Sequence, residues 1–285
     1  MQALHTIDDL PLHIRQWAIR GTPRGTVLIV HGLGEHIGRY EEVAANLNAA
    51  GWNVVGYDQR GHGASAGRRG AIAQSDSLLQ DLGLVIDTLR CEPPHPLVLL
   101  GHSMGGLVAA RFVAEGLARQ PALWWRPAEA LVLSSPALDL GMKAFQRGLL
   151  ALLGLLAPNF ALSNGLNPQW VSRDPATVKA YVDDPLVHDR VTPRLVRFMV
   201  DGGQWVRQRA AEWRVPTLLL WAGADRCVAS AGSEAFAAAA PPQVVSHKRY
   251  PALAHEIFNE PERGEVLADL TRWLNARASN PGPAV

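Results

Sequence analysis

The hexapeptide Gly101-His102-Ser103-Met104-Gly105-Gly106 carries the sharpest chemical signal in the chain. It follows an apolar run, Leu97-Val98-Leu99-Leu100, and precedes a helix-forming stretch, Leu107-Val108-Ala109-Ala110-Arg111-Phe112-Val113. Glycine-x-serine-x-glycine between a strand and a helix presents the serine on a tight, strained turn, with small flanking residues that let neighbouring backbones approach. A helix N-terminus behind the serine favours negative charge. Ser103 is therefore the expected nucleophile. A plain Gly/Ser turn is the bland reading, and it gives no reason for the turn to fall between that strand and that helix.

A serine hydroxyl needs a base, and the base needs a group that orients it. The chain has ten histidines. His31, His36, His62 and His102 sit in glycine-rich loops before or beside the serine, but on this type of elbow the partners follow in the order serine, acid, histidine. His247 and His255 remain. His247 lies inside the run Val244-Val245-Ser246-His247-Lys248-Arg249-Tyr250, which reads as a last strand. His255 lies beyond it in Pro251-Ala252-Leu253-Ala254-His255-Glu256, a loop from which an imidazole reaches the serine, so His255 is the expected base. The acid is expected at Asp225, where the run Thr217-Leu218-Leu219-Leu220-Trp221 gives out. Asp139, after the preceding strand, is the weaker choice and reads better as a turn or helix-cap aspartate. Donors for a developing oxyanion are expected from the backbone N–H of Met104 and from Leu33 in the loop His31-Gly32-Leu33-Gly34. The Leu33 side chain is then free to line an acyl pocket.

The elements that must position these residues are legible in the alternation of short apolar runs with helical stretches. Strands are expected at residues 26–30, 52–57, 97–100, 130–133 and 217–221, and helices near 40–50, 75–89, 104–116 and 233–239. Continuous apolar strands of this length suit a parallel sheet covered on both faces, so the fold class is α/β with a doubly wound sheet. Residues 12–17 alternate with period two and read as an antiparallel edge strand. One interval breaks the rhythm: from Pro136 to Pro216 the chain runs far beyond the dozen or so residues that a crossover needs. Its first half holds no charged residue from Gly148 to Ser172, and its second is charged and punctuated by prolines. Residues 137–212 therefore read as an inserted, mostly helical cap, with 1–136 and 213–285 forming the core. Within the cap, Leu149-Leu150-Ala151-Leu152-Leu153-Gly154-Leu155-Leu156 is apolar on every side of a helix. Such a helix either packs onto the core, the blander reading, or forms a greasy lid that faces lipid. The tail 279–285 reads as frayed.

Composition removes other classes. The 285 residues carry a net charge of +1, without the basic excess that phosphate neutralisation requires, so no nucleic-acid partner is expected. Cys91 and Cys227 stand alone, in neither disulfide nor metal-ligand spacing. The first residues lack a basic and apolar leader, and the longest apolar run, residues 148–157, is about half of the ~20 a membrane span needs. A soluble, reduced, cytoplasmic protein is expected. Only three of the 27 basic residues are lysines, which hints at a GC-rich bacterial genome. The glycines of the stretch 32–38, with Asp58 beyond them, imitate a dinucleotide-binding turn and its ribose acid. A dehydrogenase would leave the serine elbow and the late Asp225 and His255 unexplained, and the chain has no Tyr-x-x-x-Lys. A non-catalytic binding protein is the other rival class, and against it all three expected positions, Ser103, Asp225 and His255, are filled.

Taken together, these segments resemble the monoacylglycerol lipase and lysophospholipase branch of the α/β-hydrolase superfamily. The resemblance rests on His31-Gly32-Leu33-Gly34-Glu35-His36 with Gly38-Arg39-Tyr40, on Tyr57-Asp58-Gln59-Arg60-Gly61-His62-Gly63-Ala64-Ser65, on the elbow, and on Ser172-Arg173-Asp174-Pro175 with Asp184-Pro185-Leu186-Val187-His188 in the cap. It implies a serine carboxylic ester hydrolase that cleaves monoacylglycerols through an acyl-enzyme. General carboxylesterase and lysophospholipase activities are the nearest alternatives. It implies no cofactor and no metal, a small acyl ester or lipid as substrate, and transient contact with micelles or membranes through the cap. By position, Leu33 and Met104 match the oxyanion donors. Glu35 and Arg39 match groups near the alcohol end of the substrate, or else form an internal salt bridge that holds their loop. The first half of the cap departs from the family's wording, which leaves chain-length preference to this chain's own residues.

Overall fold

The computed structural model describes residues 4–90 and 95–278; Cys91 and the tail 279–285 lie outside the described residues. The chain opens on a short antiparallel pair, β1 (Leu4–His5) and β2 (Pro11–Leu12), and enters the main sheet at β3 (Ile14–Trp17). The sheet continues through β4 (Thr26–Val30), β5 (Asn53–Tyr57), β6 (Leu97–His102) and β7 (Ala130–Ser134). Strands β8 (Leu162–Ser163) and β9 (Arg190–Val191) pair apart from it, and β10 (Thr217–Ala222) and β11 (Val245–Tyr250) complete it. The seven strands stand in the order β11-β10-β7-β6-β4-β5-β3, and all pairings are parallel except the edge pair β3–β5. The expected edge strand is split. His13 N–H donates to Ser65 Oγ at 2.8 Å instead of joining a ladder, so Pro11 and Leu12 turn away to pair with β1.

Among the described residues eight helices flank the sheet or extend from it: α1 (Glu41–Ala49), α2 (Ser77–Leu89), α3 (Met104–Glu115), α4 (Ala144–Leu156), α5 (Pro175–Asp183), α6 (Pro193–Gln208), α7 (Ser230–Ala239) and α8 (Arg263–Ala278). Alternate strand residues divide between two cores. Val27, Ile29, Val98 and Leu100 pack with α1 and α8, whereas Leu28, Val30, Leu97 and Leu99 pack with α2, α3 and α6. Both faces are therefore apolar, as a parallel sheet with crossovers on each side requires. A one-residue slip of any central strand would exchange its two faces, so the register is firmly specified. Each central strand delivers its following loop to one edge of the sheet, where ligands bind in folds of this kind.

Between β7 and β10 lie α4, α5, α6, the β8–β9 pair and two 3-10 turns, Pro168–Trp170 and Ala210–Glu212. Helix α6 packs on α3 and contributes Leu195, Phe198, Met199 and Val206 to the larger core. Helix α4 does not pack onto the core, contrary to the blander expectation. It rests on α6, which already covers that surface, and none of its residues is buried. Leu149 and Leu152 are about half exposed, and Phe145, Leu155 and Leu156 are 69, 79 and 71% exposed.

Candidate active site

Four loops converge at the C-terminal edge of the sheet: those after β4, β6, β10 and β11. The turn after β6 holds Ser103 at φ 53° and ψ −120°, a left-handed conformation rare for a residue with a side chain. Surrounding contacts over-determine it. Ser103 N–H donates to Ser134 O at 3.0 Å, and Ser103 C=O accepts from Leu107 and Ala137 N–H. A Cβ on Gly101 would lie 2.4 Å from Gly105 O, and one on Gly105 would lie 2.0 Å from Val30 O, so both positions demand glycine. Backbone strain held in this way is common at sites that do chemistry.

The structure brings Ser103, His255 and Asp225 together. His255 Nε2 lies 2.8 Å from Ser103 Oγ, and its Nδ1 lies 2.7 Å from Asp225 Oδ2. Asp225 Oδ1 accepts N–H groups from Cys227 at 2.8 Å and Val228 at 3.0 Å, so the carboxylate is fixed in rotation. This leaves Nδ1 as the donor to Asp225 and Nε2 as the acceptor of the serine proton. Burial acts to lower the His255 pKa, but Asp225 and the nearby carboxylates outweigh it and hold the imidazole above its ordinary value. Burial acts to raise the Asp225 pKa; His255 and the two backbone donors outweigh it, and the carboxyl stays ionised below its usual range. Cys227 Sγ lies within 4.8 Å of a carboxylate oxygen of Asp225 and a ring nitrogen of His255, and burial beside Asp225 pushes its thiol up.

Met104 is the first residue of α3 and has no acceptor within the helix. Among the described residues Leu33 N–H has no protein acceptor either. The Gly32–Leu33 peptide is fixed on its other side. Gln59 N–H donates to His31 Nε2 at 2.9 Å, so Nδ1 carries the proton and donates to Gly32 C=O at 2.8 Å. In a trans peptide the following N–H points opposite to that carbonyl, so His31 sets the direction of Leu33 N–H. Glu35 Oε1 accepts Gly32 N–H at 2.5 Å and the Tyr40 hydroxyl at 2.7 Å.

Glu35 and Arg39 form the internal salt bridge that was one of their two expected roles, 2.9 Å between Nη1 and Oε2. Burial acts to raise the Glu35 pKa, but Arg39, His102, His31 and Gly32 N–H hold it at about 2. Sequence reasoning missed the partner on the far side. Glu256, next to His255, takes Arg39 in a two-pronged bond at 2.7 and 2.8 Å. It also missed Glu260, fully buried, which accepts from Ala254 N–H, Ser172 Oγ and Arg173 and so ties the His255 loop to the segment leading into α5. No local pattern pairs residues so far apart in sequence. The segment between β7 and β10 reaches the loop after β4 through His36 Nε2 and Asp184 Oδ2 at 2.8 Å, and through His188 N–H donating to Gly34 C=O.

The remaining candidates fall elsewhere. His247 pairs in register with Leu219 inside the ladder and packs beside Trp221. Asp139 accepts Gly141 N–H in a turn. His102 donates to or accepts from Ser134 Oγ, and its ring lies 4.9 Å from that of His255. Burial and the neighbouring His255 push its pKa down to about 4, so it is neutral near pH 7.

Residues 21–262 match the Hydrolase_4 family, described as serine aminopeptidase, S33. A monoacylglycerol lipase of Mycolicibacterium smegmatis is 37% identical over 262 residues, covering 90% of each chain. Phospholipase YtpA of Bacillus subtilis is 31% identical over 248 residues, 86% of this chain and 93% of its own. The crystal structure of a monoacylglycerol lipase of Paleococcus ferrophilus matches with a TM-score of 0.80 at 34% identity, covering 93% of this chain and 98% of that one.

Proposed function

The chain belongs to the Hydrolase_4 family and has the α/β-hydrolase fold, and from that membership we propose a serine ester hydrolase that cleaves monoacylglycerols to fatty acid and glycerol. The observation that carries this reading is the unbroken relay from Asp225 through His255 to Ser103 Oγ, beside the backbone N–H groups of Leu33 and Met104, which have no protein acceptor among the described residues. As Ser103 Oγ attacks the ester carbonyl carbon, His255 Nε2 takes the hydroxyl proton, and the carbonyl π electrons move onto oxygen. Leu33 and Met104 N–H hold that oxyanion; loss of one such donor typically costs ~10²–10³ in rate. Asp225 keeps the imidazole in the required tautomer and stabilises the imidazolium. His255 returns the proton to the departing alcohol oxygen, then activates the water that hydrolyses the acyl-enzyme.

We propose further that residues 137–212 act as a cap over the core formed by 1–136 and 213–285. The exposed Phe145, Leu149, Leu152, Leu155 and Leu156 of α4 give the cap a surface for transient contact with micelles or membranes that hold the substrate. Among the described residues no helix is long and apolar enough to cross a membrane. Glu35 and Arg39 border the alcohol end of the substrate as a preformed pair, with both Glu35 carboxylate oxygens and both Arg39 Nη atoms already engaged.

Phospholipase YtpA supports a second reading, a lysophospholipase. Initial rates on monoacylglycerols of rising chain length, against lysophospholipids with the same acyl chains and Ser103→Ala as blank, separate the two. An optimum at medium or long monoacylglycerols is expected. Faster turnover of the lysophospholipids would favour the second reading, and flat, feeble rates on both would leave a general carboxylesterase.

A further inference from the structure

Two carboxylates share one guanidinium beside the expected base. Arg39 Nη1 and Nη2 bond both oxygens of Glu256, and Nη1 also bonds Glu35 Oε2. The guanidinium is covered by the Tyr181 ring, 4.8 Å from its centroid, and Glu35 and Glu256 are 4 and 5% exposed. Asn259 Nδ2 donates to Glu256 Oε2 at 2.8 Å. With both acids ionised the cluster carries one surplus negative charge in a buried place. Such a surplus is costly to bury, and an apolar replacement would generally serve the fold as well. Its position supplies a reason for keeping it: Glu256 directly follows His255 in the chain, Glu35, Arg39 and Glu256 line one pocket with His102, and the His102 ring lies 4.9 Å from that of His255.

We infer that Glu256 is a positioning residue that supplies the second carboxylate of a buried, acid-heavy cluster whose surplus charge favours the imidazolium of His255. This rests on the reading above in which His255 is the base. The charged and titratable groups around His255 come from four elements. Asp225 and Cys227 follow β10, Ser103 and His102 follow or end β6, Glu35 and Arg39 follow β4, and Glu256 lies on the loop after β11. His102 and the Cys227 thiol are neutral near pH 7, for burial disfavours the charged form of each. Arg39 is matched by one carboxylate, which leaves the other to act with Asp225 on the imidazole. Both Glu256 and Glu35 push the His255 pKa upward, after Asp225. When the serine proton reaches Nε2, the positive charge on the ring is the one that this surplus stabilises.

The test is the pH dependence of kcat/KM for p-nitrophenyl butyrate in Glu256→Gln, which keeps the shape and one acceptor for Arg39. Loss of a nearby buried charge is expected to move the acid limb to lower pH by about half a unit or more, with the plateau rate falling about threefold or more. Arg39→Met, which unmasks both carboxylates, is expected to move the limb the opposite way. A Glu256→Gln limb at the wild-type position, or two variants that shift in the same direction, would overturn the inference. If Glu256→Gln gives no cooperative unfolding transition, the Arg39→Met limb decides alone: upward supports, unmoved or downward overturns. Failure of the underlying reading looks different, because His255→Ala would then retain the wild-type rate and limb.

Discussion

Asp225 has little freedom to do anything but orient His255, because one carboxylate oxygen is held by two backbone N–H groups and the other faces Nδ1. Asp225→Asn keeps the shape but offers the imidazole an amide that favours the wrong tautomer, so kcat should fall by about 10³–10⁴-fold with KM little changed. A loss under tenfold in steady-state kinetics would mean that another group orients the base. Glu35 makes a prediction about stability. Its folded carboxyl lies at about 2 against an ordinary 4.5, so its contribution is fully present above 4.5 and is lost as pH falls towards 2. Denaturant unfolding of Glu35→Gln should show lower stability than wild type at neutral pH and a flatter decline across that acid window. Equal slopes in the two proteins would show that the ion pair does not set acid stability. The meeting of Ser103, Asp225 and His255 was legible in the sequence because each follows the end of a strand. The sequence was silent on Glu256 and Glu260, whose partners sit far away in the chain and are brought near only by the folded sheet.

Among the elements, the central strands follow from their own residues. Runs such as Leu97-Val98-Leu99-Leu100 have an apolar residue for each face, and two cores form accordingly. Their C-terminal ends were harder to read. Strand β6 runs on through Gly101 and His102, because parallel partners on both sides extend the ladder into polar and glycine residues that carry no strand propensity. Helix α4 shows the other difficulty. An all-apolar helix is compatible with burial and with lipid, and composition alone does not choose. The packing of α6 on α3 takes the core surface and leaves α4 outside. Because Leu155 and Leu156 are already in solvent, Leu155→Glu with Leu156→Glu should change unfolding free energy by less than about 1 kcal/mol. The same pair should reduce co-sedimentation with phosphatidylcholine vesicles and slow turnover of long-chain substrate presented in them. Undiminished sedimentation would remove the lipid-facing role from α4 and leave its exposed leucines without a function.

For the molecule as a whole, the doubly wound sheet gathers the loops after β4, β6, β10 and β11 at one edge, and the segment between β7 and β10 is fastened to the first and last of them. The doubly wound sheet was legible in outline from the alternation of short apolar runs with helical stretches. How the segment between β7 and β10 attaches was not, since His36 with Asp184 and Ser172 with Glu260 are tertiary pairings between segments that look unrelated in one dimension. Everything proposed for the site requires the whole assembly to make Ser103 a nucleophile. The most direct measurement is reaction of the intact protein with a fluorophosphonate, followed by peptide mass mapping and ester hydrolysis on the same samples. One adduct on the peptide containing Ser103, with activity lost in proportion and both absent in a folded Ser103→Ala, is the predicted result. Wild-type hydrolysis by Ser103→Ala, or a stoichiometric adduct elsewhere with activity intact, would contradict it.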